Sequence, residues 1–398
     1  MRLNLFTLGD CTNVNTWSNL PYYFYQSLRV QHSVTVRPVN LVPPQTASYR
    51  AFSRLMAFRT RAIRLIHSDH QYDPLRSALY HAVVNRRLRF TVGRHSDVDL
   101  NLFLTFSFSS YQYARVPVVH YCDRTYEHHL EETGRTPTRS DRDFIRIEQN
   151  NIENADLVLS TDQICCDFIN SRYKPKRAFC LRPGINTQTD VQDPDRLIAR
   201  KESSTDILFI GRGAYKRGVD ILIRAFKMFN DRHARRFTLH IVGVQPVELP
   251  QELRGTDPKI RFYGYLDRSN PGDFRLYDDL VCAAKIFVMP MRPSPFPGVI
   301  RELQLHCTPV IASNVSGTSE FLAHGRDSVL VDGLEPQEFA YHMDRLIHHR
   351  LEWRQLAWNG HVSSRNLTWM NTVQKFRGII GDSNLVKSEG STAVVRGV

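Results

Sequence analysis

Short apolar runs that break at a glycine or a polar turn recur along this chain, with helical patterns between them. In the first half Leu3 to Leu8 stops at Gly9, Leu100 to Phe106 and Val116 to His120 follow, and Leu157 to Ser160 closes the series. After Pro183 and Gly184 the sequence turns polar as far as about Thr205 and reads as a linker between domains. A second series begins with Ile207 to Ile210 before Gly211, a helix from about Val219 to Phe229, and Leu239 to Val242 before Gly243. Ile260 to Phe262 before Gly264, Ile286 to Met289 and Pro309 to Ala312 continue it. Runs that are apolar throughout and alternate with helices are what parallel strands buried on both faces require. The pattern predicts an α/β chain of two doubly wound halves, with a ligand at the carboxyl ends of their strands. It divides into an N-terminal domain over 1–184, a linker over 185–205, a C-terminal domain over 206–362, a helix over 363–382 that returns to the first domain, and a disordered tail over 383–398.

Composition agrees with this division. A length of 398 residues suits two domains of ordinary size, and 42% hydrophobic with 23% charged residues is usual for a soluble globular protein. No run is long and apolar enough to span a bilayer, and the opening Met1 to Cys11 reads as a strand rather than a signal peptide, so the expected location is cytoplasmic. Seven scattered cysteines, with only the adjacent Cys165 and Cys166 close together, read as buried free thiols.

The net charge of +12 changes the picture only through its distribution. Ten arginines between Arg50 and Arg94 face only Asp69 and Asp73. Phe52, Leu55, Met56, Ile63 and Ile66 recur there at helical spacing, with Arg50, Arg54, Arg61 and Arg64 largely between them. A basic amphipathic helix over Arg50 to Ile66 is expected, either attached to an anionic membrane surface or packed with a solvated basic face. Nucleic acid is not expected as a partner, because no aromatic platform or binding module accompanies the arginines.

The densest chemistry lies between Arg292 and Glu320. A Pro-rich loop carrying Phe296 precedes Gly298, a short helix carries Glu302, an apolar strand follows, and Gly317 turns the chain toward Glu320. A helix start of this kind presents the amides of Gly298, Val299 and Ile300 to an anion, with the Glu302 carboxylate about one turn further in. No acid occurs between Asp279 and Glu302. Near the N-terminus, the loop Trp17, Ser18 and Asn19 precedes Pro21, so Ser18 or Asn19 is expected to cap a helix.

Together with Gly211, Arg212, Arg217, Gly218 and the strand glycines Gly243 and Gly264, this segment resembles the retaining GT-B glycosyltransferases of the family 4 type. The likeness is strongest from Ile207 to about Asp332 and thinner over Met1 to Asn186. It implies GT-B architecture, two Rossmann-like domains facing an interdomain cleft, with no cofactor and no metal for the chemistry. It also implies that Arg212 and Arg217 converge on the diphosphate of a nucleotide sugar, with Arg217 at the family's lysine position and Lys216 beside it. Glu302 corresponds to the acid that takes the ribose. The family's earlier acid, eight positions before, is Ser294 here, which keeps a hydroxyl and loses the charge. His120 corresponds to the histidine that supports the donor sugar, and Trp17, Ser18 and Asn19 to an acceptor-side loop.

The expected function is therefore hexosyl transfer from a UDP- or GDP-sugar to a hydroxyl of a glycan or lipid-linked acceptor. Two other readings remain open at this point: a catalytically silent GT-B nucleotide-sugar-binding protein, favoured by Ser294, and a nucleotide-sugar epimerase. Asp97 with Asp99 and Asp141 with Asp143 match a metal-binding spacing but read better as caps and surface charges. His128 with His129 and His348 with His349 lack neighbouring ligands at useful spacing. No GxSxG or reactive cysteine context points to a hydrolase.

Overall fold

The computed structural model describes residues 1–44, 46, 49–50, 52–58, 73–254, 257–315 and 317–386, without the side chains of Ser18 and Pro74. The chain forms two compact units: Met1–Arg182 with the chain from Thr372 onward, and Pro183–Asn371. The first unit is built on β1 (Arg2–Thr7), β2 (Thr35–Asn40), β3 (Leu100–Phe103), β4 (Val118–Cys122), β5 (Leu157–Ser160) and β6 (Ala178–Cys180). They pair in the order β2-β1-β3-β4-β5-β6, all parallel. The second unit uses β7 (Asp206–Ile210), β8 (Thr238–Val242), β9 (Ile260–Gly264), β10 (Ile286–Met289), β11 (Val310–Ser313) and β12 (Val329–Val331). Its order is β12-β11-β10-β7-β8-β9, again all parallel.

Burial explains why these sequences become interior strands. Every residue of the interior strands β3, β4, β5, β10 and β11 is buried, as is the edge strand β12, so an alternating polar face would strand charges between sheet and helices. An edge strand of the first sheet is more open. β2 is half-exposed and carries Pro38, which an edge position tolerates because one side of its backbone needs no partner.

One expectation is corrected. The stretch 185–205, expected as a linker, contains the helix Pro194–Glu202, and it belongs to the second unit. Asp193 caps that helix through the Arg196 amide at 2.9 Å, and Ile198 and Lys201 are buried, so two inward positions suffice to dock a mostly polar segment. The C-terminal segment forms two helices, Arg350–Ser364 in the second unit and Trp369–Asp382, which passes into the first. There Phe376 meets Phe24 edge-on at 5.8 Å. Of the expected basic helix over Arg50 to Ile66, residues 50 and 52–58 are helical, and Ala51 and residues 59–66 lie outside the described residues. Residues 387–398 of the expected tail do so as well. No helix among the described residues is long and apolar enough to cross a membrane.

Candidate functional site

In each sheet the chain leaves a first strand in both directions, and the crevice at the carboxyl ends of the diverging strands is where doubly wound folds bind ligands. In the second unit this switch point lies between β7 and β10. Glycine lets the two loops there close on each other. Gly218 has φ +69°, and a Cβ on it would sit 1.7 Å from the Pro290 carbonyl oxygen. Gly243, at φ +90°, would meet the Gly211 carbonyl oxygen at 2.5 Å. The amide of Arg292 donates to the Lys216 carbonyl at 3.0 Å, and its guanidinium grips Asp220 with two bonds of 2.9 Å.

Arg212 and Arg217 stand on the β7 loop so anchored. Arg212 is exposed, with its guanidinium 5.6 Å from the centre of the Tyr265 ring, and it pairs with no carboxylate among the described residues. Arg217 is half-buried and donates to Ser294 Oγ at 3.2 Å. Ser294 has no exposed surface. A carboxylate at this position would neutralise part of the Arg217 charge, whereas a hydroxyl accepts the bond and leaves the charge whole. Lys216 is exposed beside them.

Across the crevice, Phe296 stacks on Phe321 with ring centres 4.3 Å apart. Gly298 caps the helix Val299–Leu305 and is exposed, with open space where a Cβ would stand. The Ile300 amide, expected to face an anion, is already bonded to the Pro297 carbonyl at 3.0 Å, which leaves Gly298 and Val299 at the helix start. Glu302 is set differently from the expectation of an open ribose contact. It is 4% exposed, accepting from Arg268 Nη2 at 3.2 Å and from the Tyr277 hydroxyl at 2.9 Å. Burial raises its pKa, against the opposing pull of Arg268. Arg268 and Tyr277 escaped the sequence reading; the one available signal was that Arg268 follows the carboxyl end of β9.

In the first unit the switch point lies between β1 and β3. Trp17 in the β1 loop is partly buried against the cluster of Phe106, Cys122 and Ile152. Asn19 occupies the cap position of the helix Leu20–Arg29 in a left-handed conformation, φ +68°, with no side-chain cap bond. Its amide donates instead to the Val14 carbonyl, so the capping expected of it is absent. The side chain of Ser18, the other expected cap, lies outside the described residues.

His120 also has a setting other than the expected one. It is fully buried in β4, with Nδ1 2.6 Å from the Thr105 carbonyl and Nε2 3.1 Å from Ser109 Oγ. A carbonyl only accepts, so Nδ1 carries the proton and Nε2 accepts from the serine. Burial pushes its pKa down to about 4, which makes it a neutral core histidine. Nearby, Glu148 is buried and accepts from the Tyr126 amide at 2.6 Å and Ser107 Oγ at 3.2 Å. Burial lifts it to about 7.

Ser107 and Ser109 reach from these two groups into a cavity of about 450 Å³ that also takes in Arg86, Arg89, Tyr113 and Asn150. No acid lines it. The Tyr113 hydroxyl is buried there with no hydrogen-bond partner among the described residues. The discounted acids are in structural use: Asp141 completes a capping box with Thr138, and Asp97 pairs with Arg37 at 3.0 Å.

Residues 204–349 match the family glycosyl transferases group 1. D-inositol 3-phosphate glycosyltransferase of Corynebacterium diphtheriae is 25% identical over 251 residues, which cover 60% of this chain and 59% of that relative. The chain thus spans about three fifths of the relative's length. Among solved structures, sucrose-phosphate synthase from Thermosynechococcus elongatus superposes with a TM-score of 0.67 at 17% identity, covering 96% of this chain and 98% of the other. HepE of Anabaena, solved in complex with UDP-glucose, gives 0.63 at 17% identity, covering 96% and 100%.

Proposed function

We propose that this chain, whose residues 204–349 match the glycosyl transferases group 1 family and whose two units have the GT-B fold, is a retaining hexosyltransferase. It takes its hexose from a UDP- or GDP-sugar and delivers it to a hydroxyl of a glycan or lipid-linked acceptor. The observation that carries this reading is the pair Arg212 and Arg217, fixed by glycine-dependent packing at the switch point of the second sheet. Breaking the anomeric bond leaves negative charge on the departing diphosphate, and preorganised cations stabilise that charge more than the ground state. Lys216 and the amides of Gly298 and Val299 add donors to the same diphosphate, and the Phe296 loop frames the sugar end. Glu302, almost wholly buried, serves the ribose end by fixing Arg268 and Tyr277 in place rather than by an open contact. HepE, which shares the fold, binds UDP-glucose, which supports a UDP-sugar as donor.

The acceptor side is assigned to the first unit. Trp17 narrows the mouth of the β1 loop, and the cavity lined by Arg86 and Arg89 suits an anionic portion of a glycan or lipid-linked acceptor. His120 acts by holding Ser109 in place. Attachment to an anionic membrane is supported by the short helical stretch at 52–58, where Leu55 and Phe58 are 58% and 72% exposed beside Arg54.

Purified protein incubated with nucleotide sugars tests this reading. Transfer to an added acceptor is expected, with the α-anomeric configuration of the donor kept in the product. Binding of a nucleotide sugar with neither transfer nor donor hydrolysis would favour a silent binding protein, and conversion of the free sugar nucleotide without acceptor would favour an epimerase.

A further inference from the structure

His348, set aside on sequence grounds for want of neighbouring ligands, gains two in the fold. Asp344 lies one turn before it on the helix Pro336–His348, and His233 is brought in from the end of the helix Val219–Arg232. His233 Nε2 is 2.7 Å from Asp344 Oδ1, and His348 Nδ1 is 3.7 Å from the same oxygen. The two imidazole centres are 5.4 Å apart, and one ligand atom from each of the three residues falls within 4.8 Å of the others. We infer that His233, Asp344 and His348 form a site for a divalent transition metal ion, with zinc the best match.

Several independent features support the assignment. Two imidazoles and one carboxylate are a borderline-soft donor set that suits zinc, whereas calcium and magnesium prefer oxygen ligands throughout. Residues four apart on a helix face the same side, so Asp344 and His348 reach one point once the His348 ring turns its Nδ1 away from the Asp344 carbonyl, which it meets at 2.9 Å. His233 caps the carboxyl end of one helix, and His348 is the last residue of the other, so the negative ends of two helix dipoles meet at the ion. His233 is held by the aromatic rings of Phe229 and Phe237, with centres 4.7 and 5.4 Å away. That packing fixes one ligand in advance. The His348 side chain is 62% exposed, which gives an ion a path in and leaves coordination positions for water.

On binding, bonds to the ion replace the contact between His233 Nε2 and Asp344 Oδ1, and the neutral imidazole keeps its one proton on Nδ1. The site lies at the opposite end of the helix Val219–Arg232 from Gly218 and Arg217, about 21 Å away along the 14-residue axis. Its role is therefore a clip between two helices of the second unit, separate from the donor chemistry. A ligand that binds only the folded state raises stability by mass action.

The test uses the full chain without a polyhistidine tag, stripped with chelator and titrated with zinc against a chromophoric competitor. One zinc ion per chain is expected, with Tm raised by several degrees. Asp344→Asn and His348→Gln should each weaken binding at least tenfold while circular dichroism stays unchanged. His32→Gln, an exposed histidine elsewhere, should bind as the parent does. Cobalt substitution should give the intense visible bands of a low-coordinate nitrogen and oxygen site, lost in His348→Gln. Equal zinc uptake by the parent and by the Asp344→Asn/His348→Gln double variant, or uptake by neither, would overturn the proposal and leave a His-Asp ion pair only.

Discussion

Glu302 and Arg268 show how much a single pair of residues carries. Both side chains are almost wholly buried, at 5% and 8% exposure, so the cost of taking each charge out of water is met mainly by the other. Glu302→Gln leaves the Arg268 guanidinium buried without its carboxylate and should destabilise the second unit by about 3–5 kcal/mol. Replacing both residues, as Glu302→Gln with Arg268→Met, should cost less than the sum of the single changes. A double-mutant cycle by urea unfolding checks this, and strict additivity would mean that the two are not coupled. At this scale the loop residues were legible and their partners were not. Arg212, Arg217, Phe296 and Gly298 fall in short local patterns, but Glu302 meets Arg268 and Tyr277 across 34 and 25 positions of chain. His120 shows the same limit, since the Thr105 carbonyl and Ser109 hydroxyl that hold it come from a loop whose course no local pattern reveals.

The elements that build the site depend on glycine where chains touch. Gly218 combines a left-handed backbone with a space that the Pro290 carbonyl closes, so Gly218→Ala forces the β7 and β10 loops apart. A loss of about 2–4 kcal/mol is expected, with donor affinity falling as Arg217 shifts. Gly298 is the control: its φ is −56° and nothing lies within 4 Å of a built Cβ, so Gly298→Ala should leave Tm nearly unchanged. Thermal unfolding of both variants checks the contrast. Interior strands such as Ile286 to Met289 could be read directly because burial on both faces makes them apolar throughout. The edge strands β2 and β6 could not, because half-exposed positions admit polar residues and proline. The helix Pro194–Glu202 was hidden for a related reason: its buried Lys201 places a charge-bearing residue where the pattern calls for an apolar one. Lys201 reaches the Val281 carbonyl at 2.7 Å and Thr308 Oγ1 at 2.5 Å, and burial lowers its pKa to about 7.

Across the whole molecule, two buried ionisable groups give stability an opposing dependence on pH in the two units. Glu148 titrates near 7 in the folded first unit and near 4.5 when unfolded, so the folded state holds the extra proton between these values. Its contribution is fully present below about pH 4.5 and is lost as pH rises through 7. Lys201 works in the other direction: its contribution is present above about pH 10.5 and is lost as pH falls through 7. Glu148→Gln should therefore raise stability relative to the parent at pH 8, by up to roughly 3 kcal/mol, with little gain at pH 4.5. Thermal unfolding at the two pH values checks it, and an equal effect at both would exclude the linkage. The interior strands of both sheets were legible from strand and glycine spacing, whereas the cavity beside Arg86 and Arg89 was not, since its walls come from three separate segments. The proposed transfer depends on a nucleoside diphosphate bound by the second unit through Arg212 and Arg217. Titration calorimetry with UDP and GDP measures this directly on the parent and on Arg212→Ala/Arg217→Ala. The parent should bind one of the two nucleotides and the double variant should bind it at least a hundredfold more weakly, with circular dichroism unchanged. Equal affinity in both proteins, or no binding of either nucleotide by the parent, would contradict it.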